Sequence, residues 1–306
     1  MFKLEKFRTN HFLSNDDLTT NETLYLLDLS KKIKQHELEF ELKNKVLGLI
    51  FNKSSTRTRV SFQVAMSRLG GTTIDLNPET SQIGRGELIK DTARVLGRYC
   101  DVLAIRTFSQ SDIREYAKWS GKTVINALTD LEHPCQALAD FLTIEEEFGG
   151  FDNLVLTYIG DGNNVANSLI LCSALLGVKL RIACPKGFEP DPFIVKRALE
   201  INNNFFEIMN DPTQAVKDAN VLYTDVWSSM GEENEKNKKD KNFEGFTLNK
   251  DLLMKSDKNS IVLHCLPAYR GKEITDEVIE SNNSRIFEQA ENRMHVQQAL
   301  IYNFLF

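Results

Sequence analysis

Val46-Leu-Gly-Leu-Ile-Phe51-Asn-Lys-Ser-Ser-Thr-Arg-Thr-Arg59 is the stretch that decides the fold. Val46 to Phe51 reads as a strand, and a helix over about Thr56 to Leu69 follows it, stopped by Gly70 and Gly71. Small hydroxyls and two arginines sit where strand gives way to helix. Working outward, the same alternation continues: strand Thr72 to Leu76, helix Glu87 to Tyr99, strand Val102 to Arg106. A helix begins at Glu132, His133 and Pro134, with proline where a helix start tolerates it, and runs to about Phe148 before Gly149 and Gly150. It is the candidate bridge between two domains. Beyond it, strand Leu154 to Ile159, a glycine turn, helix Val165 to Leu176 and strand Lys179 to Cys184 restart the pattern. Strands and helices alternating from Val46 to Cys265 predict an α/β chain with doubly wound parallel sheets.

Bulk properties bound the rest. At 306 residues the chain is long enough for two domains, each with a core of its own, and so for one cleft between them. A net charge of −6 and a pI near 5.5 argue against nucleic acid or a membrane surface as a general partner. An anionic ligand must therefore be held locally. The five cysteines, Cys100, Cys135, Cys172, Cys184 and Cys265, lack paired spacing and read as reduced thiols. No run approaches the roughly 20 apolar residues of a membrane span, and Met1 to Phe12 lacks the apolar core of a signal peptide. A cytoplasmic protein is expected. From Ser228 to Phe246 the chain turns polar and lysine-rich, which reads as a mobile surface loop. Phe287 to Phe306 has the apolar spacing of an amphipathic helix docked on the body.

Several short motifs carry chemistry. Free backbone N–H groups and the positive end of a helix dipole at Ser55 to Arg59 suit an anion, and arginine adds a planar fork for phosphate. A plain N-capped helix has a similar composition, but the preceding strand and the interleaved hydroxyls favour the anion site. His133-Pro-Cys-Gln136 offers a donor and an amide at a helix start, suited to a small amide ligand. Gly160-Asp-Gly-Asn-Asn-Val165 lacks the third glycine and the following acidic residue of a dinucleotide site, so no nucleotide cofactor is expected. Its amides, at Asn163 or Asn164, can meet a polar substrate. Asp225-Val-Trp-Ser-Ser-Met-Gly231 and His264-Cys-Leu-Pro267 each sit at a strand end, where a carboxylate can bind an amine.

Together, in this order and with Glu291-Asn-Arg293, these motifs resemble the ornithine carbamoyltransferases, within the aspartate/ornithine carbamoyltransferase family. The resemblance covers nearly the whole chain, and Ser229-Met-Gly231 with His264-Cys-Leu-Pro267 is similar to the ornithine branch. It implies a carbamoyl phosphate domain over residues 1–132 with the terminal helix 287–306 returning to it, and an ornithine domain over 133–286. The implied carbamoyl phosphate site is Ser55, Thr56, Arg57, Thr58, Gln82, Arg106, His133, Gln136, Cys265, Leu266 and Arg293. The implied ornithine site is Asn164, Asp225, Ser229 and Met230. Catalytic roles fall on Arg57, Arg106, His133, Asp225 and Cys265. The loop Ser81 to Glu87 resembles one that reaches a neighbouring subunit, so a homotrimer, or a multiple of trimers, is implied.

The implied reaction moves a carbamoyl group onto the δ-amine of L-ornithine, in the setting of arginine biosynthesis. With a lysine-like pKa of about 10.4, deprotonating that amine at pH 7 costs roughly 4 to 5 kcal/mol. Asp225, Cys265 and the departing phosphate are all open as acceptors. Neither metal nor organic cofactor is needed, because the acyl phosphate already carries an activated leaving group. Sister enzymes acting on putrescine or N-acetylornithine are the rival readings, and a catalytically dead anion-binding relative is a third.

Overall fold

Two parallel sheets organise the chain, and the computed structural model describes residues 4–38, 40–77, 86–228 and 236–306 of it. Gln82, Ser229 and Met230, which the resemblance places in the site, lie outside the described residues. The chain divides into two compact units, residues 1–142 with 292–306 and residues 143–291. Both divisions fall inside helices, at 142/143 and 291/292.

The first unit holds α1 (Thr20–Lys34), β1 (Val46–Phe51), α2 (Thr56–Arg68), β2 (Thr72–Leu76), α3 (Ile89–Tyr99), β3 (Val102–Arg106), α4 (Gln110–Ser120) and β4 (Thr123–Leu128). Its sheet has the order β2-β1-β3-β4 with parallel neighbours throughout. The inner strands β1 and β3 are buried almost residue for residue, while the edge strand β2 is half exposed. The opposite edge is covered by the N-terminal segment: the Phe12 amide donates to the Val124 carbonyl at 2.9 Å and Asn126 N to Phe12 O at 2.7 Å. Leu103, Ile105, Ile113, Tyr116 and Val124 pack one face of the core. There α3 and α4 approach so closely that a Cβ on Gly97 would lie 1.8 Å from the Ser120 carbonyl oxygen.

The chain continues through α5 (Pro134–Phe148) into β5 (Val155–Ile159), α6 (Asn164–Leu176), β6 (Lys179–Ala183), α7 (Pro192–Ile201), β7 (Phe206–Met209), α8 (Pro212–Ala215), β8 (Val221–Thr224), α9 (Lys236–Asn242), α10 (Lys250–Leu253), β9 (Ile261–His264), α11 (Asp276–Ile279) and α12 (Ile286–Leu305). The second sheet has the order β7-β6-β5-β8-β9, again all parallel. Each sheet is doubly wound, because the chain steps outward on one side of its first strand and then returns to the other. Ligands of such sheets sit beyond the carboxyl ends of the strands where that reversal occurs. In the first unit the reversal lies between β1 and β3, and in the second between β5 and β8.

The polar stretch Ser228 to Phe246 corrects the sequence reading. Residues 229–235 lie outside the described residues, but the remainder is no loose loop. It forms α9, and Phe243 is fully buried, stacked on Trp227 at 5.3 Å and set edge-on to Phe188 at 4.9 Å. Lys239 pairs with Asp161 at 2.9 Å and Lys272 with Asp240 at 2.6 Å. Two aromatic anchors in a lysine-rich stretch, Phe243 and the buried Phe246 set edge-on to it at 6.0 Å, outweigh its average polarity, since each buries a large apolar area. No helix among the described residues is long and apolar enough to cross a membrane. All five cysteines are free thiols.

Candidate active site

At the carboxyl end of β1 the chain enters α2 through Ser55, whose hydroxyl oxygen accepts the Thr58 amide at 3.2 Å. That cap leaves Thr56 and Arg57 exposed at the helix start, and Thr58 buried. Arg59 serves the structure: it pairs with Asp75 of β2 and its guanidinium lies over the Phe51 ring at 5.1 Å. Across the switch point, Arg106 ends β3 only 5% exposed, at a register irregularity between β3 and β4. From α12, Arg293 is 4% exposed and its terminal N–H donates to the Thr58 hydroxyl. Ser55 to Thr58 and Arg106 therefore flank the reversal of the first sheet.

His133, the residue before α5, is buried, and its imidazole is held well below its usual range. Burial is the largest cause, followed by the positive charges of Arg293 and Arg106. At neutral pH this ring is an uncharged hydrogen-bond donor. Gln136, one helical turn on, donates from Nε2 to Asp140 Oδ1 at 2.8 Å, which fixes the amide's orientation. Its Oε1 is buried without a hydrogen-bond partner among the described residues, an acceptor ready for an N–H donor. Cys135 between them is a core thiol: burial pushes its pKa up to about 12.

The lowered imidazole has a thermodynamic consequence. Between its folded value and the ordinary 6.5 of an unfolded histidine, the unfolded chain binds more protons, so stability falls as pH drops below about 6.5. His11, lowered mainly by burial, adds in the same direction, while Glu22, lowered from 4.5, acts only at more acid pH. Urea midpoints should decrease from pH 7.5 to pH 5.5, and His133→Gln should flatten that decrease. An unchanged slope in the variant would remove His133 as its source.

In the second unit, Asp225 follows β8 and is 5% exposed. One carboxylate oxygen, Oδ1, accepts the Val226 amide at 2.7 Å and the Cys265 thiol at 2.9 Å, and the other, Oδ2, accepts the Asn163 side-chain N–H at 2.8 Å. The register explains the meeting, because Thr224 pairs with Ile159 on one side and His264 on the other. The residues just past β5, β8 and β9 thus converge at the second switch point. Asn164, assigned to ornithine from the resemblance, is the half-buried first residue of α6. Its neighbour Asn163 is the one bonded to Asp225.

Leu266 has a left-handed backbone, φ 57°, and its amide donates to His264 Nδ1 at 2.8 Å. The other ring nitrogen of His264 faces Glu273 Oε1 at 3.1 Å. Asp225, His264 and Cys265 have potential metal-ligand atoms within 4.8 Å of one another. Both nitrogens of His264 are already engaged, so the cluster does not fit an ion.

Fold and site define a class: a doubly wound α/β protein with a capped helix start and a buried arginine at the switch point of one unit and a carboxylate–thiol pair at that of the other. Family comparison narrows it. Residues 10–146 match the model of the aspartate/ornithine carbamoyltransferase carbamoyl-P binding domain, and residues 152–304 that of the Asp/Orn binding domain. The chain belongs to the aspartate/ornithine carbamoyltransferase family. It is 70% identical to an ornithine carbamoyltransferase of Prochlorococcus marinus subsp. pastoris over all of both chains. A relative of the same name from a Nostoc species is 55% identical, with 96% of each chain covered. Among solved structures, the ornithine carbamoyltransferase of Gloeobacter violaceus superposes with a TM-score of 0.90 at 48% identity, covering 99% of this chain and 100% of that one. The Pyrococcus furiosus enzyme gives 0.92 at 45%, covering 98% and 97%.

Proposed function

We propose that the chain transfers the carbamoyl group of carbamoyl phosphate to the δ-amine of L-ornithine, giving L-citrulline and phosphate. The observation that carries this reading is the neutral His133 influenced by the charges of Arg106 and Arg293, one turn from the bare carbonyl of Gln136. Cations suit the phosphate, uncharged and cationic donors suit the carbonyl oxygen, and the Gln136 acceptor suits the carbamoyl N–H. Ser55, Thr56, Arg57 and Thr58 cradle the phosphate, joined by Gln82. Cys265 and Leu266 act on the carbamoyl nitrogen through their backbone.

Ornithine is held by Asn164, Asp225, Ser229 and Met230. Its neutral δ-nitrogen attacks the carbonyl carbon, and Arg106 and His133 stabilise the oxyanion that forms. The bond from carbon to the bridging phosphate oxygen then breaks, and the proton lost by nitrogen ends on phosphate in the products. Relatives named ornithine carbamoyltransferase support ornithine as acceptor, and a solved neighbour from Campylobacter jejuni is described as anabolic. Citrulline synthesis within arginine biosynthesis is the direction proposed, in the cytoplasm and as a homotrimer or a multiple of trimers. The half-exposed edge strand β2 and the exposed Val60 and Leu88 supply apolar surface for subunit contact. Putrescine and N-acetylornithine differ from ornithine only at the amino-acid head. Purified protein should form product from carbamoyl phosphate and ornithine far faster than with either of those; equal rates would reject ornithine as the acceptor.

A further inference from the structure

Asn163 ends the turn after β5 and caps α6, with an extended backbone at φ −80° and ψ −168°. Its side-chain oxygen accepts two helix N–H groups, Val165 at 2.9 Å and Ala166 at 3.2 Å. A side-chain amide has one acceptor end and one donor end. With the oxygen committed to the helix, the NH2 group must point the other way, and it donates to Asp225 Oδ2 at 2.8 Å. The orientation of this amide is therefore set by the backbone of α6.

The other donors to Asp225 are less firmly placed. Val226 N belongs to the adjacent peptide and moves with Asp225 itself, and the half-buried Cys265 thiol turns about a single bond. Among the donors to Asp225 in the described residues, Asn163 is the one whose amide is itself pinned to a helix N-terminus. Its turn is in turn braced: the Tyr158 hydroxyl donates to the Asp161 carbonyl at 2.9 Å, and a Cβ on Gly162 would lie 2.3 Å from Pro190 N. Groups that bind or react are held best when a supporting shell on regular secondary structure fixes them.

We infer that Asn163 is a positioning residue, which transmits the fixed N-terminus of α6 to the Asp225 carboxylate and so sets its angle toward the amino-acid substrate. The inference rests on the proposed function, in which Asp225 holds ornithine. It separates Asn163 from its neighbour Asn164, whose proposed role is direct contact. The capping and positioning roles of Asn163 use opposite ends of one amide, so they can be removed independently.

Serine caps a helix about as well as asparagine but carries no NH2 group, whereas alanine loses both functions. The test uses the full chain and measures the melting temperature and the steady-state KM for ornithine and for carbamoyl phosphate in N163S, N163A and D225N. N163S is expected to melt close to the wild type and N163A lower. Both should raise the ornithine KM at least tenfold while the carbamoyl phosphate KM stays within twofold, a split that a general loss of fold would not produce. An N163S ornithine KM within twofold of wild type, with D225N strongly raised, overturns the positioning role alone. A D225N ornithine KM equal to wild type overturns the placement of ornithine on Asp225, and the role of Asn163 with it.

Discussion

Arg106→Met lowers kcat for citrulline formation by about 10²- to 10³-fold, the usual effect of removing one preorganised donor from a developing oxyanion. Arg106 ends β3 almost fully buried, on the carboxyl side of the sheet where the first unit reverses direction. After burial, its charge is one of the two that depress the His133 imidazole, so the guanidinium acts electrostatically on that ring. Methionine keeps much of the side-chain length and removes a buried charge, and taking a guanidinium out of water is itself unfavourable. The variant should therefore melt no lower than the wild type, leaving the kinetic loss attributable to chemistry. Steady-state kinetics at saturating substrates provide the check. A kcat within threefold of wild type would place the oxyanion donor on another residue.

The sheets were legible because a buried parallel strand is a short apolar run, and Val46 to Phe51, Val102 to Arg106 and Lys179 to Cys184 are read within one residue of β1, β3 and β6. Other elements carried signals that the reading passed over. Thr19 and Glu22 form a capping box at the start of α1, with the Glu22 carboxylate accepting Thr19 N at 2.7 Å and the Thr19 hydroxyl oxygen accepting Glu22 N at 3.2 Å. Asp191-Pro192 opens α7 in the same way, its carboxylate accepting the Phe193 amide at 2.8 Å. The segment around α9 misled for a different reason: average polarity hides two buried aromatics, and only tertiary packing reveals which phenylalanines find partners.

In the site, residue identity was legible and connectivity was not. Arg106, His133 and Arg293 stand far apart in sequence, and nothing in their spacing says that two charges act on one ring. The same holds for Asn163, indistinguishable from Asn164 until the cap at α6 fixes which amide turns toward Asp225. Strand register is the missing link. A pairing of Thr224 with both Ile159 and His264 determines which loop residues meet, and register depends on contacts across the sheet that no local pattern encodes.

Asp225→Asn raises the ornithine KM by about 10- to 100-fold and leaves the carbamoyl phosphate KM within twofold. The substitution is nearly isosteric, but its single oxygen keeps only one of the two donors, Val226 N on Oδ1 or the Asn163 NH2 on Oδ2, so the negative charge is lost together with one of these hydrogen bonds. A hydrogen bond to a charged partner is worth about 1.5 to 3 kcal/mol, which at 1.4 kcal/mol per factor of ten gives the expected range. The Cys265 thiol donates to the same carboxylate at 2.9 Å, so its orientation loosens as well and kcat falls alongside. Because Asp225 lies in the second unit and the side chains proposed to bind phosphate, Ser55 to Thr58, Arg106 and Arg293, in the first, the two KM values should part company. If both rose together, Asp225 would be holding the fold of its unit, and the assignment of the amino-acid substrate to this carboxylate would fail.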